Sequence, residues 1–218
     1  ARRLNSLGRN VLMTTFTRAS RKEIEERLAS FTEDEFSGGT SVHTLNALAW
    51  RLAGCPVLTS YSEKLRLMKN LVEKHKNIYA LSPQIDENEG KIDEQEVFAT
   101  EWLRMVDRLH ANDVFGYHEE IENEEIRNLL VEWDNICETN KIIDETTIFK
   151  YARLNVKIDP TTRIWDDILI DESQDLSLIQ YNFIIQLASN KKLFMVGDPD
   201  QSIYAFRAAI PGFMTDMF

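Results

Sequence analysis

Cysteine is almost missing from this chain: Cys55 and Cys137 are the only two in 218 residues, and their separation matches no metal-ligand spacing. A disulfide framework and a zinc knuckle therefore have no basis here, and two reduced thiols in a cytoplasmic protein are expected. Histidine is nearly as scarce. His43, His75, His110 and His118 form no ligand pair, so a metal site built from protein side chains alone is not expected. No apolar run approaches the ~20 residues needed to cross a bilayer, and no secretory leader is visible, so no membrane partner is expected. What remains is a chain that is 43% hydrophobic, ordinary for a globular protein and too apolar for disorder.

The formal charge of −11 argues against a general nucleic-acid coat, but its distribution is uneven. Residues 1–31 carry seven Arg or Lys against three Glu, whereas residues 113–138 carry nine acidic side chains against Arg127 alone. The acidic middle reads as solvated helix faces. The basic end is compatible with a phosphate-bearing partner.

The pattern is α/β at both ends. Val11-Leu12-Met13 is a short apolar run, and a helical stretch from Arg18 to Leu28 follows it. Ser37-Gly38-Gly39 signals a turn. Thr40 to His43 then leads into a helical stretch with Leu45, Leu48, Ala49 and Leu52 on one face, closed by Gly54 and Pro56. Residues 57–150 change character. Trp102, Met105, Val106 and Leu109 form one helical stripe; Ile126, Leu129, Leu130 and Trp133 form another. Both are expected to be helix-packing core. Ile168 to Ile170 is a continuous apolar run of the kind a buried parallel strand requires. A helix is expected over Leu176–Ala188, capped by Asp175 or Ser177, and a second apolar run, Leu193 to Val196, ends at Gly197-Asp198. Strand, helix, strand at this spacing is a βαβ unit. Its polar residues fall past the carboxyl ends of the strands, where open parallel sheets bind ligands.

The block Asp171-Glu172-Ser173-Gln174-Asp175 puts three carboxylates into five residues after the first of those strands. Adjacent carboxylates repel and resist desolvation unless a cation offsets them. Taken alone, a solvated strand end explains them. A magnesium-nucleotide site explains them as well: Asp171 holds Mg²⁺, and Glu172 faces the attacking water. The second block, Gly197-Asp198-Pro199-Asp200-Gln201-Ser202-Ile203-Tyr204-Ala205-Phe206-Arg207, combines a glycine turn, a neutral amide, two aromatics and an arginine. Gln201 can sense a γ-phosphate by hydrogen bond. Tyr204 and Phe206 can offer π-faces to bases.

"DESQD", followed 26 residues later by "GDPDQSIYAFRAA", resembles the second and third motifs of UvrD/Rep-type superfamily 1 DNA helicases. "LMTTFTRAS" resembles the family's motif Ia, and "TSVHTLNALAWRL" its motif Ib. Departures stand beside the likeness. Arg18-Ala19-Ser20-Arg21 replaces the usual Asn-Lys-Ala-Ala, Val42 replaces a Phe, and Phe206 stands where Trp is frequent. No Gly-x-x-x-x-Gly-Lys-Ser/Thr segment occurs, and the chain reads as a fragment of a longer protein.

The resemblance implies a RecA-like α/β motor domain, a parallel sheet flanked by helices, from residues 1–54 and 151–218, with an all-α subdomain inserted at 55–150. It implies ATP and Mg²⁺ as cofactors, single-stranded or partly duplex DNA as partner, and movement 3′ to 5′. Glu172 and Gln201 are the implied catalytic residues, and Asp171 the metal ligand. Asp171, Gln201 and Tyr204 would meet the nucleotide; Phe16, Thr17, His43, Tyr204, Phe206 and Arg207 would meet DNA. The competing expectation is a non-catalytic helicase-like scaffold or DNA-binding module. A generic helical interaction domain leaves the block around Gln201 unexplained.

Overall fold

The computed structural model describes residues 1–30, 39–75, 94–115, 121–158 and 164–201. Within them the chain divides into two compact units, one of residues Ala1–Pro56 and Thr147–Phe218 and one of Val57–Thr146. Among the described residues no helix is long and apolar enough to cross a membrane.

The first unit has the expected α/β architecture. A one-turn helix α1 (Arg2–Asn5) precedes strand β1 (Val11–Thr15), helix α2 (Arg18–Ala29), strand β2 (Thr40–Thr44) and helix α3 (Leu45–Leu52). After the second unit come helix α7 (Ile148–Ile158), strand β3 (Asp167–Ile170), helix α8 (Leu178–Leu187) and strand β4 (Lys192–Met195). The four strands form one sheet in the order β2-β1-β3-β4, and every neighbouring pair is parallel. β1 and β3 are central and nearly wholly buried, which explains why their sequences do not alternate. Arg9 ties their amino ends together through an ion pair with the buried Asp167 carboxylate.

Local chemistry fixes the ends of the helices. The Thr17 hydroxyl accepts the Ser20 N–H at 3.0 Å and starts α2, whose exposed face is laced by the pairs Arg21–Glu25 and Arg27–Glu23. Thr44 caps α3 in the same way through the Ala47 N–H. Of the two caps considered for α8, the structure uses Ser177. The Gln180 side chain reaches back to accept its N–H at 3.0 Å, half of a capping box. The helix is shorter than expected at its start, because Ser173–Asp175 winds into a separate 3₁₀ turn. Phe149 of α7 meets Phe183 of α8 edge-on, ring centroids 5.5 Å apart.

Two strands depart from the sequence expectation. Thr40–Thr44 is a strand, although only Val42 in it is buried; pairing with β1 makes it so. β4 is an edge among the described residues, and its apolar run is not enclosed there, with Phe194 61% exposed.

The second unit packs helices α4 (Tyr61–Lys74), α5 (Glu94–Ala111) and α6 (Glu124–Asn140) around one core. Met68, Leu71, Val72, Trp102, Leu103, Val106, Leu129, Leu130 and Trp133 form it. The two stripes read from sequence are therefore packing surfaces, as expected. Lys64 is buried beside this core, its ammonium 3.0 Å from Asp107 and 2.6 Å from Asp144.

Candidate functional site

Because all four strands are parallel, their carboxyl ends share one edge of the sheet. From β1 the chain crosses through α2 to β2 on one side; from β3 it crosses through α8 to β4 on the other. The direction of winding reverses between β1 and β3, and that reversal opens the crevice where ligands bind in such sheets. Phe16-Thr17 follows β1 and Asp171-Glu172 follows β3, one segment on each side of it.

The turn after β3 is held in detail. The Asp171 N–H donates to the Thr14 carbonyl at 3.0 Å and ends the ladder. Glu172 then adopts a left-handed backbone, φ 56° and ψ 40°, which a residue with a Cβ occupies at a cost of about 1–3 kcal/mol unless its surroundings hold it there. They do. The Glu172 N–H reaches Asp171 Oδ1 at 3.1 Å, and the Glu172 carbonyl accepts the Asp175 N–H at 3.1 Å. The sharp bend leaves Asp171 half-buried and Glu172 exposed. Strain of this kind concentrates at functional sites.

The turn after β4 is built onto the same block. The Ser173 N–H donates to the Val196 carbonyl at 2.9 Å. At Gly197 an added Cβ would lie 2.3 Å from Gln174 Oε1, 2.8 Å from Ser173 Oγ and 2.9 Å from the Gln174 nitrogen. Space, not backbone freedom, requires glycine there. Gly197→Ala is expected to destabilise the first unit by about 1–3 kcal/mol, the usual cost of forcing atoms into a packed site. A urea titration followed by far-UV circular dichroism measures it, and an unchanged midpoint would contradict so close an approach. The Asp198 side chain accepts from the Asp200 N–H at 3.0 Å and from Gln201 Nε2 at 2.7 Å.

The structure thus brings Asp171, Glu172 and Gln201 into two turns that hydrogen-bond to each other. Phe16 is half-buried past β1. The Thr17 hydroxyl serves as the α2 cap. His43 lies one residue from the end of β2, and burial, then the charges of Arg51 and Arg21, push its imidazole below the ordinary histidine range, so it is neutral near pH 7. Tyr204, Phe206 and Arg207 lie outside the described residues.

Two features escaped the sequence reading. Gln174 is buried, 2% exposed, within a block that carries three carboxylates. Thr14 and Thr15 end β1 with hydroxyls that are buried and without a hydrogen-bond partner among the described residues. The donors fit a magnesium nucleotide. The Asp171 carboxylate, half-buried at the carboxyl end of β3, offers the hard oxygen that Mg²⁺ takes, one or two carboxylates being completed by phosphates and water.

The model of the UvrD/REP helicase N-terminal domain family matches residues 4–217. A probable DNA helicase II homolog of Mycoplasma genitalium is 24% identical over 94% of this chain and 31% of its own length. The Rickettsia felis homolog is 26% identical over 93% of this chain and 32% of its own. A putative ATP-dependent DNA helicase of Bacillus subtilis, YjcD, is 54% identical over 22% of this chain and 7% of its own length. The chain spans about a third of the length of these two homologs. With the family model covering all but four of its residues, this chain belongs to the UvrD/REP helicase N-terminal domain family.

Proposed function

We propose that this chain is the nucleotide-handling part of a longer cytoplasmic helicase that couples Mg-ATP hydrolysis to movement along single-stranded DNA, 3′ to 5′. The observation that carries the proposal is the hydrogen-bonded union of the Asp171-Glu172 turn with the Gly197–Gln201 turn at the carboxyl edge of the sheet. The similarity to proteins named as DNA helicases and as an ATP-dependent DNA helicase supports it. Residues 1–54 and 151–218 form the motor domain, and 55–150 the inserted helical subdomain.

In this reading Asp171 would hold the magnesium ion, which when bound supplies charge neutralisation to the phosphates. Among the described residues no three His, Cys, Asp or Glu gather as a metal cage, so the remaining ligands would come from phosphate and water. Glu172, exposed and fixed by its bent backbone, takes a proton from the attacking water. Gln201 donates to the γ-phosphate after leaving Asp198. Phe16, Thr17, Tyr204, Phe206 and Arg207 meet DNA, and Tyr204 also the nucleotide. His43, neutral near pH 7, contributes to the DNA surface as a hydrogen-bonding ring rather than as a phosphate-pairing cation.

The chain contains no phosphate-loop lysine, a group that carries much of the charge stabilisation in such reactions. The 218-residue chain by itself is therefore expected to give no steady phosphate release, with or without single-stranded DNA. The full-length helicase should release phosphate in a DNA-stimulated manner and displace a strand from a duplex with a 3′ tail. Steady turnover by the isolated chain would sink the account of what is missing. DNA binding without hydrolysis by the full-length protein would favour the non-catalytic module instead.

A further inference from the structure

Gln174 joins the two halves of the site. Its buried amide donates from Nε2 to Glu172 Oε2 at 2.7 Å and accepts the Asp198 N–H on Oε1 at 3.0 Å. A carboxylate only accepts and a backbone N–H only donates, so the amide can face one way alone. Flipped, it would set oxygen against oxygen and N–H against N–H. The contact continues beyond Asp198, whose carboxylate accepts from Gln201 Nε2 at 2.7 Å. Glu172, Gln174, Asp198 and Gln201 therefore form one hydrogen-bonded row across two turns that are 24 residues apart in sequence. Gly197 lacks a side chain at the point where this amide passes. A buried amide satisfied at both ends by site groups rigidifies its surroundings.

We propose that Gln174 is a positioning residue for hydrolysis: it fixes the Glu172 carboxylate and registers it against the Asp198–Gln201 turn, so that a shift of that turn is transmitted to the base. This rests on the reading of Glu172 as general base. It deepens that reading by naming the group through which the two turns act on one another.

The test compares Gln174→Leu, which keeps the volume and loses both hydrogen bonds, with Gln174→Glu, which keeps an acceptor for Asp198 and loses the donor to Glu172. Both are made in the full-length helicase beside Glu172→Gln and the double variant Glu172→Gln/Gln174→Leu. Affinity for a non-hydrolysable ATP analogue and kcat and KM for ATP are measured for each. Both single Gln174 variants should bind the analogue as wild type does and keep KM, while kcat falls about 10- to 100-fold, the effect of losing one hydrogen bond to a charged group. The double variant should be within about three-fold of Glu172→Gln alone, because Gln174 acts only through that carboxylate. Wild-type kcat in both Gln174 variants overturns the proposal. So does loss of analogue binding, which makes the residue structural, and so do losses that multiply in the double variant. If Glu172→Gln hydrolyses ATP normally, the base assignment itself falls and takes the proposal with it. If Glu172→Gln is inactive and the Gln174 variants are normal, the proposal alone falls.

Discussion

Glu172→Gln in the full-length helicase is expected to keep ATP bound while turnover falls by a factor on the order of 10² or more. The substitution preserves size and the ability to accept from Gln174, so the bent backbone at φ 56° and its hydrogen bonds to Asp171 and Asp175 have no reason to change. Only the proton acceptor is lost. Asp171→Asn should fail differently. Its side chain still caps the turn through Oδ1, but the amide is a poor ligand for a hard cation, so magnesium-dependent nucleotide binding weakens. Nucleotide binding with magnesium and with a chelator, set beside steady-state phosphate release, separates the two. Normal hydrolysis by both variants would leave the acidic turn as a solvated strand end.

Lys64→Met should cost the helical unit about 3–5 kcal/mol at pH 7, the range for removing one member of a buried ion pair. Lys64 is 8% exposed at its side chain and sits between Asp107, 42% exposed, and Asp144, 14% exposed. Burial by itself drives the ammonium toward neutrality. The charges of Asp144 and then Asp107, with hydrogen bonds to both, outweigh that and raise the group above the ordinary lysine range. A pKa that is higher in the folded state than in the unfolded state means that folding favours the protonated form. The contribution is therefore complete below the unfolded lysine value of about 10.4 and is lost as pH climbs through the folded one. Urea midpoints of wild type and variant should differ clearly at pH 7 and converge only in strong alkali. Equal midpoints at pH 7 would show that the buried triad contributes nothing net.

Much of the scaffold was legible because burial leaves a periodic mark. The Trp102 and Trp133 stripes and the unbroken run at Ile168–Ile170 read correctly, since each records which face meets other apolar atoms. The strand at Thr40–Thr44 left no such mark. With Val42 alone buried, its state is decided by the hydrogen bonds that β1 offers it, and those belong to another segment. α8 starts two residues later than the residue pattern implies, for a similar reason. Ser173 and Gln174 are buried by contacts with Val196 and Asp198, so the chain winds there before the helix begins.

The sequence by itself determined the chemistry on offer: an acidic block after one apolar strand, a glycine turn and neutral amide after another, and no thiol or histidine cluster to compete with them. It also determined the family, through the order and spacing of those two blocks. The tertiary structure decided where the chemistry meets. Strand order alone creates the reversal between β1 and β3, because residue patterns record burial and not neighbours. Only the folded chain bends Glu172 into a left-handed turn without a glycine, and only it carries the Gln174 amide from that turn to Asp198. Both depend on hydrogen bonds between groups distant in sequence, and such bonds leave no pattern in the residues that make them.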